Sequence, residues 1–122
     1  METARRFTLP RSRILRSKTE IDALLARGAV LFRYPIKAYC LERGLPGQAL
    51  PRMMVSVPKR NFKRAVQRNL LKRRIREAFR LNAGLLGERR FDILFVYLGR
   101  ETESYDRIEA TVTGILRQLA EK

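Results

Sequence analysis

The chain has 122 residues, of which 45% are hydrophobic, so we expect one domain with a modest core. It carries a net charge of +15, has one cysteine and has no histidine. This composition excludes an internal disulfide and a Cys/His zinc site. The lone Cys40 fits a reducing, cytoplasmic setting. No apolar run approaches the roughly 18 residues that a membrane span requires.

The positive charge is concentrated in one segment. Residues 52–80 hold eleven Lys and Arg side chains and one acid, Glu77, which gives this segment a net charge of +10. A foldable segment with that charge predicts a polyanionic partner. Nucleic acid is the favoured partner. An anionic membrane, another acidic partner and a merely solvated face are the alternatives.

The chain is predicted to begin with a basic N-terminal arm over residues 1–16, followed by a short helix. The sequence from Ser17 to Glu20 has the form of a capping box, in which Ser17 caps the helix and Glu20 reaches back to it. Gly28 predicts the end of this helix.

Residues 30–42 are rich in strand-forming side chains, and Pro35 marks either the start of a strand or a kink. The two-residue period of a strand places Lys37 and Tyr39 on the same face. Residues 43–51 have the Gly and Pro content of a turn between strands.

The second half of the chain predicts a strand over residues 52–59, a helix over 63–82, a strand over 91–98 and an amphipathic helix from Tyr105 onward. The order of elements favours an α+β fold with helices packed on a sheet. The predicted core comprises Met53, Met54, Val55, Phe91, Ile93, Phe95 and the stripe Tyr105, Ile108, Val112, Ile115, Leu116 and Leu119.

The helix over residues 65–80 is predicted to have two faces. On a helical wheel, cations and Asn69 fall within an arc of about 140°, while Leu71 and Ile75 mark a separate apolar face. Arg74 falls among the apolar positions, and we expect its side chain to extend to solvent. Arginine suits a phosphate-binding face because its planar fork donates paired hydrogen bonds. Asn69 could contact a sugar or base, or alternatively bond nearby backbone.

This spacing resembles the signature of the protein subunit of bacterial ribonuclease P. The family pattern leads from a Ser-Val pair through Lys/Arg to Ala-Val-x-Arg-Asn-x-x-Lys-Arg-x-x-Arg-Glu. It is matched here by Ser56-Val57, Lys59-Arg60, Ala65-Val66, Arg68-Asn69, Lys72-Arg73 and Arg76-Glu77. The resemblance covers most of residues 5–120, including the arm "RRFTLPRSRIL". Three residues depart from the family pattern: Leu70 replaces an arginine, and Leu25 and Ile21 replace aromatic residues.

The resemblance implies a single-domain α/β sandwich, ribosomal protein S5 domain 2-like, with a mostly four-stranded sheet. The implied element order is α-β-β-β-α-β-α, with a left-handed βαβ crossover that includes the basic helix, against the usual right-handed rule. It implies a protein subunit that helps an RNA catalyst to remove the 5′ leader of precursor tRNA. Mg²⁺ would then be bound mainly by the RNA, with no organic cofactor.

The resemblance also divides the site residues between two RNA partners. The residues expected to bind the catalytic RNA are Lys59, Arg60, Lys63, Arg64, Arg68, Asn69, Lys72, Arg73 and Arg76. Those expected to bind the leader are Tyr39, Lys37, Phe7, Arg13, Phe32, Tyr34 and Leu25. Tyr39 could alternatively be an ordinary half-buried strand residue, and Phe32 and Tyr34 could belong to the core or its rim.

Catalysis by the protein itself is disfavoured, because the chain lacks histidine and its carboxylates do not cluster on the basic face. Asp22, Glu42 and Asp92 are considered as metal ligands, but ordinary surface or capping acids are favoured. The rival functions are a ribosomal or general RNA-binding protein, a DNA-binding regulator and a self-sufficient nuclease. A helix-turn-helix regulator would need another helix just before the basic one, where the sequence predicts a strand.

Overall fold

The computed structural model describes residues 14, 15, 17–43 and 51–121. The elements are α1 (Lys18–Arg27), β1 (Ala29–Arg33), β2 (Ile36–Glu42), β3 (Arg52–Ser56), α2 (Ala65–Asn82), β4 (Phe91–Tyr97) and α3 (Tyr105–Ala120), with a short 3₁₀ helix, Ala83–Leu86, before β4. The predicted α+β class and the order α-β-β-β-α-β-α are therefore confirmed. Element ends differ from the predicted ones by a few residues; α2, for example, begins at Ala65.

The four strands form one sheet in the order β1-β2-β4-β3. β1 and β2 are an antiparallel hairpin whose turn holds Tyr34 and Pro35, joined by a cis peptide bond. Pro35 thus lies immediately before the start of a strand, which was one of its two predicted roles. β2 pairs antiparallel with β4, and β3 pairs parallel with β4. The β3–α2–β4 unit is the crossover that the family resemblance implies to be left-handed.

The larger core lies between the sheet and the two helices α2 and α3. Its members follow the strand and helix periods, so that Ile36 and Cys40 of β2 are buried while Lys37 and Tyr39 face the other side. The rings of Phe79 and Phe95 join α2 to the sheet, with centroids 6.1 Å apart. The predicted core is confirmed by the burial of Met53, Val55, Phe91, Ile93, Phe95, Ile108, Val112, Ile115, Leu116 and Leu119. Tyr105 packs against this core but is only partly buried.

A smaller core lies on the opposite face of the sheet, under α1. Leu24 of α1 is fully buried there together with Leu15 and Leu94. Met54, also predicted to be a core residue, is half-buried and packs against this smaller core. The reason is the strand period, since Met53 already occupies the main-core face. Within the described residues, no helix is both long enough and apolar enough to cross a membrane.

The capping-box prediction for α1 is half confirmed. The Ser17 hydroxyl accepts a hydrogen bond from the Glu20 backbone N–H at 3.4 Å. The Glu20 side chain does not return to the cap, because it pairs with Arg52 at 3.0 Å. The helix ends as predicted before Gly28, where an added Cβ would lie 2.5 Å from the Leu24 carbonyl oxygen. This close approach requires glycine at the exit of α1.

Candidate nucleic-acid interface

The residues predicted to bind the catalytic RNA form what we call the basic helix surface, on α2 and the loop before it. Arg68 and Lys72 are half-buried, and the rest are exposed: Lys59, Arg60, Lys63, Arg64, Asn69, Arg73 and Arg76. Leu71 and Ile75 point the other way and are fully buried, so the predicted two-sided helix is confirmed. Among the described residues, no carboxylate lies within ion-pairing distance of these cations. Their charge is therefore available to an external anion.

The loop before α2 is held by its own contacts. Phe62 is buried against Tyr97, with ring centroids 5.9 Å apart. The Asn61 N–H donates to the Pro58 carbonyl oxygen at 3.2 Å. Arg68 Nη1 donates to the carbonyl oxygens of Phe62, at 2.7 Å, and Lys63, at 3.0 Å. Arg68 therefore shapes the loop, in addition to the RNA contact predicted for it.

The acid in the basic segment is occupied by a neighbouring arginine. Arg80 Nε and Nη2 donate to the two carboxylate oxygens of Glu77, at 3.0 and 2.8 Å. This carboxylate raises the pKa of Arg80. Because Glu77 is engaged in this way, it leaves Arg73 and Arg76 without an ion-pair partner in the described chain.

Arg74 differs from its prediction. Its side chain is half-buried, and Nη1 donates to the carbonyl oxygen of Glu103. The hydrogen bond joins α2 to the segment that enters α3. The expectation that Arg74 extends to solvent was wrong, because a backbone acceptor 29 residues away in sequence lies within its reach.

The residues predicted to bind the leader lie largely on the sheet face opposite the main core. Phe32 of β1 pairs with Lys37 of β2, and Val30 pairs with Tyr39. The Lys37 ammonium lies over the Tyr39 ring, 5.1 Å from its centroid. Tyr34 follows β1, and its ring makes an edge-to-face contact with the ring of Phe32, with the two centroids 6.5 Å apart. One lysine and three aromatic side chains therefore come together at one end of this face.

These side chains differ in exposure. Phe32 and Tyr34 are 60% and 55% exposed, which contradicts a core role for either of them. Leu25 is 48% exposed on α1, the helix that packs on the same face. Tyr39 is half-buried, which agrees also with the alternative prediction of an ordinary half-buried strand residue. Phe7 and Arg13 lie outside the described residues.

Val30 belongs to this surface but was not selected from the sequence. It is 50% exposed and lies opposite Tyr39 across the hairpin. The sequence feature that could have identified Val30 is the two-residue period of β1, which puts Val30 and Phe32 on one face. To place that face beside Tyr39, the register of the β1–β2 hairpin is also needed. The position of Pro35 in the sequence does not determine this register.

The other end of the sheet face carries a set of paired charges, which we call the sheet-face ion-pair cluster: Glu20, Arg43, Arg52 and Asp92. Asp92 is 1% exposed and accepts two hydrogen bonds from Arg52, at 3.1 and 2.8 Å. Arg43 lies 3.5 Å from Asp92 and 3.7 Å from Glu20. The hydrogen bond from Arg52 lowers the pKa of Glu20, and Asp92 raises the pKa of Arg52.

The acids considered as metal ligands are all paired with cations. Asp22 pairs with Lys18 at 3.3 Å, and Glu42 accepts two bonds from Arg89 at 2.8 Å. Over residues 14–15, 17–43 and 51–121, no three His, Cys, Asp or Glu side chains are grouped to hold a metal ion. These carboxylates do not fit a magnesium site, and the assignment of Mg²⁺ to the RNA stays a prediction.

The fold and the basic helix surface together define a small α+β protein with one sheet and a cationic helix suited to a polyanion. The family model of ribonuclease P matches residues 9–120. A chain from Porphyromonas gingivalis named Ribonuclease P protein component is 32% identical over 120 residues, covering 93% of this chain and 88% of that one. A chain of the same name from Desulfovibrio desulfuricans is 33% identical, covering 95% and 89%. The chain therefore belongs to the ribonuclease P protein family.

Solved structures show the same fold. The RNase P protein from Thermotoga maritima matches with a TM-score of 0.73 and 22% identity, covering 86% of this chain and 96% of that one. The Staphylococcus aureus RNase P protein matches with a TM-score of 0.71 and 16% identity, covering 88% and 95%. The match extends over nearly the full length of both structures, which confirms the fold that the resemblance implied.

Proposed function

We propose that this chain is the protein subunit of ribonuclease P, and that it promotes endonucleolytic removal of the 5′ leader from precursor tRNA. The observation that carries the proposal is the basic helix surface, whose cations have no acidic partner in the described chain, in a member of this family. In the proposed assembly this surface binds the catalytic RNA. The assembly acts in the bacterial cytoplasm.

Phosphate is the ligand that the basic helix surface fits. Exposed Arg73 and Arg76 offer planar forks for phosphate oxygens, and Lys72 adds a point charge on the same side of α2. If about six phosphates are neutralised, the logarithm of the affinity should fall with the logarithm of salt concentration with a slope near −4 to −5. A DNA-binding helix-turn-helix is not supported, because strand β3 precedes α2.

The leader is proposed to lie on the sheet face. Single-stranded RNA is bound by aromatic rings that stack on its bases and by cations that attract its backbone. Tyr39 and Phe32 supply rings on this face, Tyr34 adds one at the hairpin turn, and Lys37 supplies a cation among them. Leu25 of α1 would add an aliphatic contact, while the sheet-face ion-pair cluster is already neutralised by its own carboxylates.

Catalysis is proposed to belong to the RNA subunit. The chain has no histidine to act as a general base. Its acids at positions 22, 42 and 92 are engaged by cations rather than converging on one point. The protein's role is therefore to bind and position two RNA molecules, while Mg²⁺, bound mainly by the RNA, supplies the metal-assisted hydrolysis.

A reconstitution tests the proposal. Cleavage of a 5′-extended precursor tRNA is measured at low millimolar Mg²⁺ with a bacterial ribonuclease P RNA alone, with this protein alone and with both. We expect the protein to stimulate cleavage only when the RNA is present. Cleavage by the protein alone would make it a nuclease. Tight RNA binding without stimulation would instead support a general RNA-binding protein.

A further inference from the structure

A pocket opens between α2 and the start of α3, beside the basic helix surface. Its volume is about 350 Å³, within the range of small-ligand pockets. The lining residues are Leu70, Arg73, Arg74, Glu77 and Tyr105. Arg73 belongs to both the pocket and the basic helix surface, so the two are continuous.

The lining combines the groups that hold an unstacked base. The ring of Tyr105 and the aliphatic side chain of Leu70 provide apolar walls, and two guanidinium groups lie beside them. Proteins bind unpaired bases of RNA by stacking them on aromatic rings and on arginine planes. Glu77 can accept a hydrogen bond from a base amino group, since each carboxylate oxygen keeps a lone pair beyond its bond to Arg80.

The pocket is held in shape by contacts on both sides. Arg74 is fixed by its bond to the Glu103 carbonyl oxygen, and Tyr105 packs against the main core. Burial, with the nearby Glu109 carboxylate, raises the pKa of Tyr105 to about 12. The side chain is therefore neutral, and its packing against the main core holds the ring in place for stacking.

Phosphate binding alone does not account for this pocket. A phosphate needs converging cations and hydrogen-bond donors, whereas these walls include an aromatic ring, a leucine and a carboxylate. An RNA whose backbone contacts Lys72, Arg73 and Arg76 would pass the mouth of the pocket. The cations would then hold the strand while one base leaves its stack.

We propose that this pocket binds an unstacked nucleobase of the RNA that occupies the basic helix surface. The proposal rests on the proposed function, since it requires that RNA to bind α2. It adds a base-stacking contact to a surface whose other proposed contacts are mainly with phosphate.

The test compares Tyr105→Leu with Tyr105→Phe in binding to a bacterial ribonuclease P RNA. Leucine keeps the apolar packing but removes the ring, so we expect the affinity to fall on the order of tenfold. Phenylalanine keeps the ring, and its affinity should stay within about twofold of the parent. The salt dependence of Tyr105→Leu should be unchanged, because no phosphate contact is lost.

Base-specific chemical probing of the bound RNA gives a second readout. One unpaired base should change its reactivity when the parent protein or Tyr105→Phe binds, and should lose that change with Tyr105→Leu at saturating protein. Circular dichroism checks the fold of each variant. If Tyr105→Leu fails to fold, Leu70→Ala removes another wall at a half-buried helix position and should act in the same direction.

Three outcomes would overturn the proposal. In the first, the variants without a pocket wall bind like the parent and leave the probing pattern intact. In the second, they weaken binding and also flatten the salt slope, as loss of a phosphate contact would. In the third, the parent protein neither binds the RNA nor stimulates cleavage, and this outcome alone removes the proposed function as well.

Discussion

Two regions of the molecule contain arginine side chains and differ in how those side chains are paired. In the sheet-face ion-pair cluster, Arg52 and Arg43 lie against Asp92 and Glu20, and Asp92 is 1% exposed. On the basic helix surface, the cations are mostly exposed and have no acidic partner in the described chain. The first region uses its arginines to join α1, β3 and β4. The second leaves its charge for a ligand.

The difference lies in the acids that the fold brings to each region. Asp92 reaches Arg52 because β3 and β4 pair in parallel with these two residues in register. Glu77 lies within the basic helix but is held by Arg80. A run of arginines therefore predicts a binding surface only where no strand or helix supplies a carboxylate to it.

The largest effect on stability is expected for a substitution that disrupts the sheet-face ion-pair cluster. Asp92→Ala would remove the buried carboxylate that pairs with half-buried Arg52 and Arg43 and leave them only the partly exposed Glu20, so it should reduce the free energy of unfolding by about 3 kcal/mol. Urea denaturation measures this change. Arg76→Ala is the matched control, since it removes an exposed, unpaired arginine and should change stability by less than about 0.5 kcal/mol. Equal losses in both variants would contradict the contrast between the two regions.

A second substitution concerns the other end of the sheet face, where Lys37 has no carboxylate partner among the described residues. Tyr39→Ala should weaken the affinity of the reconstituted enzyme for precursor tRNA by about 1–3 kcal/mol, because one stacking ring is lost. Binding of mature tRNA should not change. Tyr39→Phe keeps the ring and serves as the control. An equal loss for precursor and mature tRNA would place the leader elsewhere.

A third pair of substitutions concerns the basic helix surface. Arg76→Ala should weaken binding of the catalytic RNA roughly tenfold and flatten the log–log salt slope by about one unit. Arg68→Ala should do the same and also loosen the loop, because its bonds to Phe62 and Lys63 are lost. Affinity measured over a series of salt concentrations separates these effects. A slope that stays unchanged in Arg76→Ala would remove that face from the RNA interface.

The smallest expected effect concerns pH. Arg52 lowers the pKa of Glu20 from its ordinary value of 4.5, so this contact stabilises the fold above that value and is lost as pH falls through the lowered pKa. Because Glu20 is partly exposed, the contribution should be a few tenths of a kcal/mol. Unfolding at about pH 7 and about pH 3 should show a smaller difference in Glu20→Gln than in the parent. An identical difference would show that Glu20 does not contribute.

Local patterns predicted much of this molecule. The period of α2 separated Leu71 and Ile75 from the exposed cations, and the alternation of β2 put Lys37 and Tyr39 on one face. Each of these predictions depends on neighbours within a few residues along the chain. The order of elements and the α+β class also followed from these patterns, whereas the sandwich with its crossover was implied by the family resemblance.

Contacts between distant segments could not be predicted in this way. The Arg52–Asp92 pair joins residues 40 positions apart and depends on strand register. The bond from Arg74 to Glu103 and the pocket beside Tyr105 depend on how α2 and α3 pack together. No periodicity in the sequence encodes such a meeting of two elements.

The bonds from Arg68 to the loop carbonyl oxygens have a consequence for association. Together with the buried ring of Phe62, they fix the turn that carries Lys59, Arg60 and Lys63 before any RNA arrives. The backbone entropy of ordering this turn, about 1–2 kcal/mol per residue, is then lost during folding rather than during binding. The cations are presented in a preorganised array, so more of their interaction energy should appear as affinity.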